Sequence, residues 1–252
     1  MGLSRWLQQR HGAELWMSAI GHGSTERLLR HGGDPDTREL GFAFLAAHGL
    51  ELSADGRARV EASDPARWYG ELPELGRALQ DGDRVVTDGR EWQVIETAGH
   101  CRGHLCLYDA RAEILISGDQ VLPTISPNVS VLASRPEADT LGEFLASLER
   151  LDRACAPETL FLPSQGRAFR GLHERIEVVR SHHLEQLEAL REACRTPRCA
   201  HELLPVMYGR PLRGFHRFLA LGETVAHLNH LWHAGELLRT VDAAGRIRFG
   251  AR

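Results

Sequence analysis

Thr97-Ala98-Gly99-His100-Cys101-Arg102-Gly103-His104 runs into Leu105-Cys106-Leu107-Tyr108-Asp109, and a short step later comes Ile116-Ser117-Gly118-Asp119-Gln120-Val121-Leu122-Pro123. The residues before each Gly are β-rich, and the residue after each Gly is a polar group that a metal could use. His100 therefore projects from a tight loop at a strand end, and Asp119 stands in the same position after the next strand pair. An imidazole and a carboxylate presented on neighbouring strand ends are donors suited to zinc, iron or manganese. Taken singly, each has a plainer reading: a hydrogen-bonded loop histidine and a turn-forming aspartate.

Working outward, residues 83–118 read as strands, with Arg84–Thr87, Glu91–Thr97, His104–Tyr108 and Glu113–Ile116 separated by Gly or Asp turns. Asp88-Gly89 is a hairpin signal between the first two. Helices are expected at 3–10, 24–31 and Asp36–His48, with a short strand, Ala13–Ser18, between the first two. Residues 49–82, rich in Gly, Pro, Asp and Glu, read as loop-dominated, and the wider 34–82 stretch as an insertion over the site. Downstream come a helix at about 138–153 and a strand, Thr159–Leu162. The amphipathic helix at about 170–193 carries Leu172, Ile176, Val179, Leu187 and Leu190 on one stripe. After Thr196-Pro197 the order is Ala200–Met207 helix, Phe215–Ala234 helix with a break near Gly222, and two short strands around Ala244-Gly245. The fold class is α/β (α+β), with residues 1–196 as the main domain and 197–252 as a small winged-helix-like domain.

The chain has 252 residues and a formal net charge of −4. All 30 basic residues are arginine. Without lysine, Schiff-base chemistry, a P-loop lysine and a Ser–Lys dyad are excluded. No run approaches the roughly 18 apolar residues that span a bilayer. The N-terminus has no apolar signal region, and five cysteines without a C-x-x-C pair suit reduced thiols. The expectation is a cytoplasmic, bacterial protein with no membrane partner. Residues 197–252 hold 8 Arg against 4 acids. That excess is modest, so nucleic acid is not expected there, and a substrate-pocket or homodimer contact is.

The whole set resembles the metallo-β-lactamase-fold hydrolases, particularly the glyoxalase-II-like branch with a C-terminal winged helix. The resemblance rests on the Thr97–His100 loop, the Ser117-Gly118-Asp119 loop, the Leu162-Pro163-Ser164-Gln165-Gly166 loop, the long helix and the small C-terminal unit. It implies an αββα sandwich with a two-metal zinc site at the strand ends. His100 would be a metal ligand, and Asp119 the bridging carboxylate and catalytic residue. His104 and Gln120 would lie behind or beside the ligands. The implied reaction is attack of a metal-bound hydroxide on a thioester, ester or lactone of a small-molecule substrate. A catalytically degenerate or truncated relative and a metal-dependent nuclease are the alternatives.

Two departures qualify the resemblance. No His-x-His-x-Asp-His occurs in the chain, and Gln165 stands where the family's last ligand histidine is expected. The family pattern puts that motif immediately before a helix opening such as Gly2–Leu7, so the sandwich's first strands are expected upstream of residue 1. With two ligands left, this chain is expected not to hold zinc stoichiometrically, and His22 and His104 are the nearest additional candidates. His182 and His183 are expected on a solvated helix face. His227, His230 and His233 recur every three residues, a row that drifts round a helix of 3.6 residues per turn, and are not expected to clamp one metal. Cys101, with no base beside it, is expected to be structural.

Overall fold

The computed structural model describes residues 3–31, 33–62, 71–212 and 214–252. The element order is α1 (Ser4–His11), β1 (Leu15–Met17), α2 (Ala19–His31), α3 (Pro35–Ala47), α4 (Ala54–Ala62), β2 (Leu75–Ala78), β3 (Arg84–Thr87), β4 (Arg90–Thr97), β5 (His104–Asp109), β6 (Ile114–Gly118), α5 (Thr140–Ala154), β7 (Leu160–Pro163), α6 (Leu172–Ala193), α7 (Ala200–Tyr208), α8 (Phe215–His233), β8 (Leu237–Val241) and β9 (Ile247–Ala251).

Among the described residues three sheets form: β3-β4-β5-β6-β7 with five strands, a parallel β1-β2 pair, and the β8-β9 hairpin. The β3–β4 turn has positive φ at both Asp88 (48°) and Gly89 (73°), the twist-matched geometry that an Asp-Gly hairpin favours. β4, β5 and β6 pair antiparallel in sequence, and β6 pairs parallel with β7. β4, β6 and β7 therefore all point the same way. The loops that follow them, carrying His100, Asp119 and Gln165, open on one edge of the sheet.

α5 begins at Asp139, whose carboxylate accepts from the Gly142 N–H at 2.8 Å, satisfying one of the free donors of the first turn. Its stripe Leu141, Phe144, Leu148 and Leu151 is buried. On α6 the buried set is Leu172, Ile176, Val179, His183, Leu187 and Leu190, a seam at helical spacing. These stripes and the strand residues Ile95, Cys106, Leu115 and Phe161 form one buried cluster, which continues through Leu221, Val225, Leu228 and Phe249. α7, α8 and the β8–β9 hairpin thus share a core with α5 and α6.

The structure departs from the sequence expectations in four places. Residues 49–82 hold α4 and β2 rather than loop alone, while residues 63–70 lie outside the described residues. α4 buries nothing, so it carries no apolar stripe to read. β2 forms through a distant parallel partner, β1, which local pattern does not announce. α8 runs unbroken through Gly222. There a Cβ would lie 2.9 Å from Ser130 Oγ and 3.2 Å from the Val131 carbonyl oxygen, so the glycine serves close approach of the 126–131 segment rather than a break. His183 is fully buried, not solvated.

Candidate metal centre

His100 is placed by β4 and by the packing of its loop on α5. Gly99 has φ 99°, and a Cβ there would sit 2.3 Å from the Phe144 Cβ and 2.5 Å from its Cα. Only a residue without a side chain fits. Ser147 Oγ accepts from the Ala98 N–H at 2.9 Å, fastening the same loop to α5. The His100 Nδ1 lies 2.9 Å from the Asn128 carbonyl oxygen. A carbonyl only accepts, so in the neutral ring Nδ1 carries the hydrogen and Nε2 keeps its lone pair.

That Nε2 lies 3.7 Å from Asp119 Oδ2. The other carboxylate oxygen, Oδ1, accepts from Ser164 Oγ and, at 2.9 Å, from Gln165 Nε2. Both donors stand on the loop after β7, which a Ser164 N–H to Gly118 carbonyl bond of 3.0 Å joins to the β6 end. Partial desolvation works against the Asp119 charge. The Ser164 and Gln165 hydrogen bonds, with the nearby imidazoles, outweigh it and hold the carboxyl below its ordinary range.

His104 opens β5. Its Nδ1 meets Thr97 Oγ1 at 3.0 Å and its ring lies against Gly118. Desolvation first, then the His100 imidazole, pushes it down to about 4, so it packs neutral. Gln120 is buried and donates to the Ala98 carbonyl at 3.2 Å, bracing the His100 loop from the Asp119 side. His22 Nε2 meets the Pro73 carbonyl at 3.2 Å. The Cys101 thiol is pushed up to about 11 by desolvation and by Asp119, so it supplies no thiolate at neutral pH.

Zinc centres use three or four protein donors. Among the described residues no group of three or more His, Cys, Asp or Glu is arranged to hold a metal. His100 and Asp119 are two groups of the right chemistry, and Gln165, 2.9 Å from Asp119 Oδ1, spends its N–H on the carboxylate. The described residues therefore do not complete a zinc site.

The α8 histidines go three separate ways, as the drift of their row requires: His227 to His183 at 3.0 Å, His230 to Asp139 at 3.0 Å and His233 to the Glu137 carbonyl at 2.8 Å. The arginines of the C-terminal part are largely spoken for. Arg239 pairs with Glu137, Arg246 with Glu51, Arg248 with Glu202 and Asp242, and Arg217 reaches His201. Missed in sequence reading was the set of residues that hold the 126–131 segment: Ser126, Asn128, His183, Glu223 and His227. The one available signal was His183, which falls on the apolar stripe of α6 between Val179 and Leu187.

Comparison with known proteins bears on the family of the chain. Residues 11–180 match the model of the metallo-beta-lactamase superfamily, and residues 187–252 that of the metallo-beta-lactamase-like C-terminal domain. The crystal structure of a beta-lactamase domain protein from Burkholderia ambifaria is 36% identical, with a TM-score of 0.87, over 100% of this chain and 71% of that one. A hydroxyacylglutathione hydrolase of Fuscovulum blasticum is 29% identical over 57% of this chain and 49% of its own length. The acyl-coenzyme A thioesterase MBLAC2 of Gallus gallus is 44% identical over 18% of this chain and 16% of its own. The chain thus spans less than half the length of either curated relative. With its loops after β4, β6 and β7 gathered on one sheet edge and a family match over more than half its length, the chain belongs to the metallo-β-lactamase superfamily of hydrolases.

Proposed function

We propose that the His100–Asp119 edge is the reaction side of a small-molecule hydrolase acting on a thioester, with esters and lactones as related substrates. The observation that carries this is the 3.7 Å gap between His100 Nε2 and Asp119 Oδ2. Each group is held from behind, His100 by the Asn128 carbonyl and Asp119 by Ser164 and Gln165, so both lone pairs face the same space. Two acceptors so placed suit one shared cation, or one water donating to both at an ordinary hydrogen-bond length of about 2.8 Å. The relatives named for thioester substrates, hydroxyacylglutathione and acyl-coenzyme A, support the substrate class.

Zinc, or iron or manganese, is the cofactor the superfamily implies, and the donor set among the described residues falls short of it. These 252 residues are therefore expected to hold zinc below one equivalent and to turn over slowly. One observation favours a second reading, a degenerate non-enzymatic relative: the Gln165 amide satisfies Asp119 Oδ1 without any metal. Assay of acyl-thioester hydrolysis with and without added zinc separates the two. The leading reading expects zinc-stimulated hydrolysis that His100→Ala and Asp119→Ala abolish. Rates equal to buffer at saturating zinc favour the degenerate relative.

A further inference from the structure

The 126–131 segment crosses from the sheet edge to α8 with its polar residues on one side, Ser126, Asn128 and Ser130, and buried Pro127, Val129 and Val131 on the other. Each polar residue is met by a group from the helices. Ser126 Oγ lies 3.1 Å from His183 Nε2, and His183 Nδ1 lies 3.0 Å from His227 Nε2. His227 Nδ1 lies 2.8 Å from the Glu223 backbone carbonyl. Asn128 Nδ2 donates to Glu223 Oε2 at 3.4 Å, and Tyr208 donates its hydroxyl to the same oxygen at 2.6 Å. Ser130 Oγ donates to Asn128 Oδ1 at 2.6 Å, and the Val131 N–H to the Gly222 carbonyl at 3.0 Å.

The hydrogen positions follow from one fixed end. The Glu223 carbonyl accepts only, so His227 carries its hydrogen on Nδ1 and accepts on Nε2. His183 must then donate from Nδ1 and accept on Nε2, and Ser126 donates its hydroxyl. Both rings are fully buried. Desolvation pushes His183 down to about 3 and His227 to about 4, which keeps both neutral and the chain of donors in one direction.

A Ser–His–His line resembles an activated nucleophile in outline, but its chemistry differs. A serine base works best with a pKa near the working pH, whereas His183 is far below it and is backed by a neutral imidazole rather than a carboxylate. The line instead anchors a backbone. What it anchors is Asn128, whose carbonyl fixes the ring of His100.

We propose that His183, His227 and Glu223 are positioning residues, which hold the 126–131 segment so that the Asn128 carbonyl locks His100 with its hydrogen on Nδ1 and its Nε2 lone pair toward Asp119. Residues of α6 and α8 thereby orient a donor of the strand-edge site without touching it. The inference takes the place of His100 from the proposed function. Its test reads the ring itself, so a failure to hydrolyse thioesters would leave it standing.

The experiment records ring nitrogen–hydrogen correlations of the full chain labelled with nitrogen-15, at about pH 8 where an unperturbed imidazole is neutral. His100 is assigned by the signal missing in His100→Gln. The wild-type ring is expected to show one form, protonated on Nδ1. Glu223→Ala combined with Ser126→Ala is expected to lose that single form in favour of a mixture, in protein that still unfolds cooperatively. Glu223→Gln, which keeps a carbonyl acceptor for Asn128, is expected to restore it. Should the double variant not fold, Ser126→Ala alone is expected to bring in the second form. An unchanged Nδ1-protonated His100 in these alanine variants would overturn the inference. So would a wild-type ring protonated on Nε2, or labelling of Ser126 by a fluorophosphonate that His183→Asn abolishes.

Discussion

His100 Nε2 and Asp119 Oδ2 face each other across 3.7 Å, and among the described residues neither atom has a hydrogen-bond partner. Two acceptors turned toward one another are costly unless a proton or a cation lies between them. Their placement is a consequence of topology. β4 and β6 point the same way because one antiparallel strand, β5, separates them, and β7 joins β6 in parallel. The result is two part-exposed groups facing each other on one edge of the sheet.

A third donor should be addable where the amide now stands. Gln165 Nε2 is 2.9 Å from Asp119 Oδ1, so Gln165→His would place an imidazole beside the existing pair. Zinc titration of this variant is expected to show affinity raised by about tenfold or more, roughly 1.4 kcal/mol. Unchanged affinity would mean that the loop after β7 does not face the pair in solution.

Gly99 is the tightest fit in the His100 loop. Gly99→Ala would force a side chain into the backbone of α5 at Phe144 while holding φ at 99°. The expected loss of stability is about 3 kcal/mol or more, measured by urea unfolding. Gly222→Ala, which meets a movable Ser130 hydroxyl and the Val131 carbonyl, is expected to cost less, about 1–2 kcal/mol. The reverse order would contradict the described packing.

Acid stability should depend on buried His48. Both ring nitrogens are buried without a hydrogen-bond partner. Desolvation first, and Arg239 second, lower the ring from 6.5 to about 4. A histidine depressed in the folded state takes up protons on unfolding, so its stabilising effect is complete above about 6.5 and fades as pH falls toward 4. By about pH 5 the loss is on the order of 2 kcal/mol. His48→Leu should shrink the stability difference between about pH 8 and pH 5 by a similar amount. An unaltered pH dependence in denaturant titrations would show that the ring is solvated.

His230 and Asp139 act in the opposite sense. The Asp139 hydrogen bond raises His230 despite partial desolvation, and Asp139 is held low by His230 and the Gly142 N–H against the pull of its own burial. The histidine contribution is complete below about 6.5 and is lost as pH rises through its raised value. The aspartate contribution is present above about 3.9 and is lost as pH falls through its lowered value. His230→Gln should therefore cost most between those limits and little at alkaline pH. A penalty that grows above neutrality would reject the pair as a source of stability.

The strand-end placement of His100 and Asp119 was legible in the sequence, for a physical reason. Gly-His and Gly-Asp at strand ends are local patterns, and strand alternation fixed which ends share an edge. The amphipathic stripes of α5 and α6 were equally local. What escaped reading depends on partners far along the chain. β2 exists because β1 pairs with it, α4 carries no apolar face, and Gly222 reads as a break until Ser130 is seen against it. His183 looked like half of a solvated His-His pair, yet its place on the α6 stripe put it opposite His227, 44 residues away.

Metal stoichiometry tests most directly whether the His100–Asp119 pair is a two-donor half-site. After equilibration with excess zinc and exhaustive dialysis, elemental analysis of the 252-residue chain is expected to find well below one zinc per chain. Retention of one or two tightly held zinc ions per chain would contradict it.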